Sequence, residues 1–218
     1  MLGWNLQPVS NLCTICHTRR ARRTCPALSS EICAQCCGAE RENSIDCPAE
    51  CSYLRDARLH EAHPPLKEED VPHRDVALSE TFVRQNEPLV FTLALALRRS
   101  METSGAAGKA VDGDARAALE ASIRTYRTLP SGLIYETRPE NPYAAAIQDK
   151  LQAAVEELRK GLAEAGVAQT LRDADVLGCL VFLQRLELQN SNGRRRGRAF
   201  FDFLREYVSD PEMKEATI

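Results

Sequence analysis

The sequence predicts a small cysteine finger module followed by an all-α helical domain of five or six helices. Three observations carry that expectation. Eight of the nine cysteines lie between Cys13 and Cys51. The second half is dominated by Ala and Leu, and aromatic residues make up only 6% of the chain, which favours helix over sheet. Between the two parts, residues 60–76 hold three prolines and five acidic residues against two basic ones, the composition of an extended, solvated linker. The finger is placed at 10–59 and the helical domain at 77–210. A chain of 218 residues has room for one ordinary domain and one small module.

The helical part reads in order from Ser79. Helices are expected over 79–86 and 88–101, since Pro88 suits a first helical turn. Residues 103–114, rich in Gly and Ala, read as a loop. Asp112 or Asp114 caps the next helix, which sets Leu119, Ile123 and Tyr126 on one face and stops at Pro130-Ser131-Gly132. Leu133-Ile134-Tyr135 is extended or a turn. Asn141-Pro142 pairs a capping side chain with a proline at the first helical position. Ile147, Leu151, Val155, Leu158 and Leu162 then keep helical spacing, and Gly166 serves as the C-terminal cap. The helix expected over 172–190 is apolar nearly all round, the pattern of a central, buried helix. Asn192-Gly193 ends it. A last helix, Ala199 to Val208, is expected to turn Phe200, Phe203, Leu204 and Tyr207 to the core.

The cysteines carry the chemistry. Their pattern is Cys13-x2-Cys16-x8-Cys25-x7-Cys33-x2-Cys36-Cys37-x9-Cys47-x3-Cys51. Two Cys-x2-Cys pairs, 13/16 and 33/36, stand sixteen residues apart, the spacing of a four-cysteine zinc site. A two-residue gap makes a knuckle that aims two sulfurs at one ion, and a second knuckle completes a tetrahedron at about 2.3 Å per bond. Cys25, Cys37, Cys47 and Cys51 are enough for a second site, so the expected cofactor is two structural Zn2+. The sets would then interleave. The alternative is sequential: Cys13, Cys16, Cys25 and Cys33 in one site, and Cys36, Cys37, Cys47 and Cys51 in the other. Interleaving is preferred because adjacent cysteines, such as Cys36 and Cys37, point in different directions in most backbone conformations. Either way both sites are closed by four protein ligands, which is the structural and not the catalytic arrangement. A segment this short and this poor in large apolar residues needs metal to fold.

Competing readings of the cluster are an iron–sulfur centre, a disulfide framework and a redox role for Cys13-x2-Cys16. The ferredoxin run of cysteines is absent, and a redox Cys-x2-Cys usually sits beside a strand–helix unit. The N-terminus has neither a basic region nor an apolar one of export-signal type, so a reducing cytoplasmic location is expected, where clustered cysteines bind metal. His17, His60 or His63 is a candidate replacement ligand, His60 first among them.

The run Cys13-x2-Cys16, Thr24-Cys25-Pro26 and Ile32-Cys33-Ala34-Gln35-Cys36-Cys37 resembles the HIT and MYND class of paired-zinc fingers. It departs from that class at its end, where Cys47-Pro48-Ala49-Glu50-Cys51 replaces the terminal His-x3-Cys pair. The stretch from 13 to about 60 also resembles the finger of bacterial cysteine-rich proteins that join Cys-Pro-Ala-Leu and Cys-Cys-Gly to a helical tail. The resemblance implies two zinc ions, interleaved sites and a binding role, and names no partner.

Two arginine clusters invite a reading as phosphate or acidic-partner contacts: Arg19, Arg20, Arg22 and Arg23 in the finger, and Arg194, Arg195, Arg196 and Arg198 before the last helix. The opposing reading is electrostatic. A zinc ion with four thiolates carries a formal −2, and nearby arginines offset it. The net charge of −3 argues against a nucleic-acid binder driven by bulk charge.

No nucleophile elbow, phosphate loop or dinucleotide fingerprint is present, and Cys179, in Leu177-Gly178-Cys179-Leu180-Val181, reads as a buried, inert thiol. No apolar run reaches the length of a membrane span. The expected function is a non-enzymatic zinc-binding adaptor whose partner is another protein, with no membrane role. The alternatives are a nucleic-acid-binding regulator using the arginines and an enzyme with an unrecognised pocket in the helical domain.

Overall fold

Three-residue strands carry too few side chains to alternate visibly, yet Arg23–Cys25 (β1) and Ser30–Ile32 (β2) pair as an antiparallel hairpin. In its register Arg23 opposes Ile32, Thr24 opposes Glu31 and Cys25 opposes Ser30. The computed structural model that shows this describes residues 11–61, 65–102, 110–132, 136–166 and 171–209. The expectations for 133–135, for His63 and for most of the 103–114 loop fall outside the described residues. The chain divides into two units, Met1–Ala62 with Arg194–Arg196, and His63–Gly193 with Gly197–Ile218.

In the first unit the hairpin is followed by two short helices, α1 (Ala34–Glu40) and α2 (Ser52–Leu59). A hairpin of this size is marginal without packing, and here its inner residues join a core made mostly of sulfur. Cys13, Cys25, Cys33, Cys36 and Cys37 cluster with Ile32 and Ile45. Leu54 of α2 is also buried. The turn after α1 holds Glu42 with φ +54°, and Arg58 of α2 donates to its buried carboxylate at 2.6 Å.

The second unit has six helices among its described residues: α3 (Glu80–Gln85), α4 (Glu87–Glu102), α5 (Asp112–Thr128), α6 (Pro142–Glu164), α7 (Asp173–Asn190) and α8 (Ala199–Tyr207). The caps follow the sequence. Ser79 accepts from the Phe82 amide at the start of α3, and Asn141 accepts from the Tyr143 amide ahead of Pro142. The Asp114 carboxylate reaches back to the Val111 amide. Gly132 closes the single 3-10 turn, Leu129–Ser131, that follows α5, at φ +73°, a conformation that glycine adopts without cost to a side chain. The main packing pairs are α4 with α6, and α5 with both α6 and α7. Leu93, Leu97, Leu119, Ile123, Ile147, Leu151, Leu180, Leu183, Phe200 and Leu204 fill the core. Gly178 in α7 is required by close approach: a Cβ there would stand 2.4 Å from Cζ of Phe82.

Two expectations change. Tyr207 does not reach the core; it is 68% exposed and packs its ring on Phe203, while Phe201 is buried beside Phe200. A nine-residue helix of 3.6 periodicity has one core face, and Phe200, Phe201 and Leu204 fill it. Residues 71–76, expected to be solvated, are instead tied down. Arg185 of α7 donates to the carbonyls of Pro72, His73 and Val76, His73 meets Glu120 at 3.1 Å, and Asp75 forms a two-pronged pair with Arg127.

The helical unit also buries a charge. Glu187 of α7 is fully buried and receives both prongs of the Arg116 guanidinium, at 2.7 and 2.9 Å. Burial pushes its carboxyl above the ordinary glutamate range, against the pull of Arg116. Removing Arg116 leaves that buried carboxylate without its countercharge. Arg116→Ala is expected to lower stability at neutral pH by about 2–4 kcal/mol in denaturant titrations. The deficit should shrink as the pH falls through the raised titration range of Glu187, above that of an ordinary glutamate, because the carboxyl then takes a proton and the buried charge disappears.

Candidate metal centre

Each knuckle of the first unit is shaped by its own backbone. In Cys13-Thr14-Ile15-Cys16 the amide of His17 returns to the Cys13 carbonyl at 2.8 Å, and the Cys13 amide reaches the Arg19 carbonyl at 2.8 Å. His17 takes φ +53° to close the loop. The Thr14 amide donates to the Glu31 carbonyl, fixing this knuckle against β2. The second knuckle opens α1: Cys33 is its N-cap, and its sulfur accepts from the Cys36 amide at 3.4 Å.

These turns bring Cys13, Cys16, Cys33 and Cys36 together, with sulfur atoms all within 4.8 Å of one another. Tetrahedral zinc with bonds of about 2.3 Å needs sulfurs about 3.8 Å apart, so small adjustments seat an ion. The donor set is soft, four-fold and complete, which suits structural zinc. Three of the four residues are buried and Cys16 is half-buried. Among the described residues no histidine joins this group; His17 and His60 are both exposed.

The surroundings favour thiolate at two of the four, Cys16 and Cys33. Hydrogen bonding by the Thr18 side chain, with the Arg19 and Thr18 amides, brings the Cys16 thiol down to about 5. The Arg19 guanidinium brings Cys33 down to about 7. Arg19 acts on Cys36 in the same sense, but burial and the neighbouring sulfurs outweigh it and push that thiol up to about 11. A metal ion would displace the remaining protons.

The other four cysteines stand differently. Among the described residues no second set of metal-ligating side chains converges as closely as the first. Cys25, Cys37, Cys47 and Cys51 instead share the wall of one small cavity of about 10 Å³, together with Arg23, Ile32, Ile45 and Tyr53. Cys47 and Cys51 are brought there by a turn in which the Cys51 amide donates to the Pro48 carbonyl.

The arginine clusters split. Arg19 donates to the sulfurs of Cys33 and Cys36, and Arg23 to that of Cys37. Arg194 donates to the carbonyls of Gly38 and Arg41 at the end of α1, and Arg198 to that of Ala110 in the helical unit. Arg20, Arg22, Arg195 and Arg196 are exposed. Glu42, the buried carboxylate that holds Arg58, was not singled out by the sequence; its neighbours in Glu40-Arg41-Glu42-Asn43 read as an ordinary polar turn.

Among its described residues the helical unit carries open hollows of about 420 and 360 Å³. Their walls are formed by α3 and α7 in one case and by α4 and α6 in the other, and neither wall includes a cysteine or histidine. Among the described residues no helix is long and apolar enough to cross a membrane. No family model matches the chain, and neither the curated proteins nor the solved structures contain a significant match to it.

Cys179 is set apart from the other eight. It is fully buried in α7, and burial pushes its thiol up to about 12. In reduced, native protein at neutral pH, a maleimide reagent is expected to leave Cys179 unmodified, as read by peptide mass spectrometry. Labelling should follow only on unfolding of the helical unit.

Proposed function

We propose that this protein is a non-enzymatic zinc-binding adaptor whose cysteine module, held by two structural zinc ions, presents a surface to a partner protein. The observation that carries the reading is the convergence of Cys13, Cys16, Cys33 and Cys36. Four sulfurs leave no open position on the ion for water or substrate, so metal there builds shape and does no chemistry. The second ion is supported by the shared cavity of Cys25, Cys37, Cys47 and Cys51, whose volume of about 10 Å³ suits a single small guest. This division of the cysteines is the interleaved one, in keeping with the paired-zinc resemblance. A role in nucleic-acid binding has less support, because Arg19, Arg23, Arg194 and Arg198 are engaged with sulfurs or carbonyls of the chain itself.

Metal analysis of freshly purified, reduced protein is expected to return two zinc ions per chain. Cys33→Ser and Cys37→Ser should each lose one. Retention of neither zinc nor iron by the unaltered protein would overturn the reading. A partner protein that co-purifies with the intact chain should be lost from Cys33→Ser. Recovery of a clean, partnerless protein after mild lysis would count against the adaptor role.

A further inference from the structure

The finger's arginines are distributed between the two sets of sulfur ligands. Arg19 spans three of the four residues of the first set. Its carbonyl accepts from the Cys13 amide at 2.8 Å. Its Nε donates to Cys33 Sγ at 3.2 Å, and its Nη2 to Cys36 Sγ at 3.4 Å. One residue thus ties the first knuckle to both sulfurs of the second. Arg23 takes the corresponding position at the other set. Its Nη1 donates to Cys37 Sγ at 3.3 Å, and its guanidinium lies 4.7 Å from the centre of the Tyr53 ring. The ring holds the cation in place by its quadrupole.

We propose that Arg19 and Arg23 are positioning residues, one for each metal site, that hold the thiolates in ligating geometry and damp their reactivity. Two physical reasons support this. Four thiolates on one divalent ion leave a formal charge of −2, and a guanidinium hydrogen-bonded to sulfur withdraws part of it. A thiolate that already accepts such a bond has less electron density to offer a proton or an electrophile, so metal leaves more slowly by either route. The fork matters as well as the charge. Arg19 uses two nitrogens at fixed separation to reach two sulfurs, which the single ammonium of lysine does not reproduce. Arg20 and Arg22, exposed within the same run, have no such role.

The inference rests on metal occupying the sulfur sites, so the experiment begins with the zinc content of the unaltered full-length chain. Arg19→Met, Arg23→Met, Arg19→Lys and the control Arg22→Met are then compared. Zinc affinity is measured by competition with a chromophoric chelator, and the order of cysteine alkylation by N-ethylmaleimide is read by peptide mass spectrometry. Arg19→Met is expected to weaken one zinc ion by about 10- to 100-fold and to advance alkylation of Cys33 and Cys36. Arg23→Met should advance Cys37 and weaken the other ion. Arg19→Lys should recover part of the loss, and Arg22→Met should match the unaltered chain. Where Arg19→Met does not retain its fold by circular dichroism, Arg19→Lys against the unaltered chain decides the matter. Zinc bound normally, with affinity and alkylation order unchanged in the folded arginine variants, would overturn this proposal alone. Absence of zinc from the unaltered chain would overturn the metal reading beneath it.

Discussion

Sulfur converging on a common centre is the constraint from which the first unit takes its shape. Five of the seven residues in its buried cluster are cysteines, and the other two are Ile32 and Ile45. Burying an isoleucine contributes about 1.5–3 kcal/mol, whereas a structural zinc ion contributes about 10–16 kcal/mol in apparent terms. A hairpin of three-residue strands and two helices of fewer than nine residues cannot supply that difference from backbone hydrogen bonding. The knuckles, the hairpin and the N-cap of α1 set the sulfurs of Cys13, Cys16, Cys33 and Cys36 within 4.8 Å of one another. Arg19 donates to two of these sulfurs, and Arg23 to that of Cys37.

The helical unit rests on different physics. Its core is aliphatic, with a few aromatic rings, and it holds the buried Glu187 carboxylate against a half-buried Arg116. Hydrogen bonds from Arg185 to the carbonyls of Pro72, His73 and Val76 give the segment before α3 a fixed course, and His73, Glu120, Asp75 and Arg127 extend that fastening to α5. Gly178 completes the arrangement by leaving room for Phe82. None of these contacts involves a cysteine.

Much of this was legible from residue order. Two Cys-x2-Cys pairs at a fixed spacing announce a tetrad because the knuckle geometry is local, and the structure brings those same four sulfurs together. Asn141-Pro142, Ser79 and Gly132 marked helix ends for equally local reasons. The misses share the opposite property. Strands as short as Arg23–Cys25 and Ser30–Ile32 have no period to read. The composition of 71–76 indicates solvation, but its partner Arg185 lies more than a hundred residues away, where composition is blind. The direction of an arginine side chain is likewise set by the fold, so a run such as Arg19-Arg20-Ala21-Arg22-Arg23 cannot disclose which members turn to sulfur. The convergence of the second cysteine set is not evident as it is for the first, and the four are related by a common cavity.

The assignment of Arg194–Arg196 to the first unit has a consequence for the order of events during synthesis. The Gly38 and Arg41 carbonyls at the end of α1 wait for a guanidinium encoded 156 and 153 positions later. As the nascent chain leaves the ribosome, the cysteines through Cys51 emerge together, well ahead of that guanidinium. The last stitch of that same unit arrives only after nearly the whole helical region has been made. Completion of this unit thus waits until residue 194 has been made.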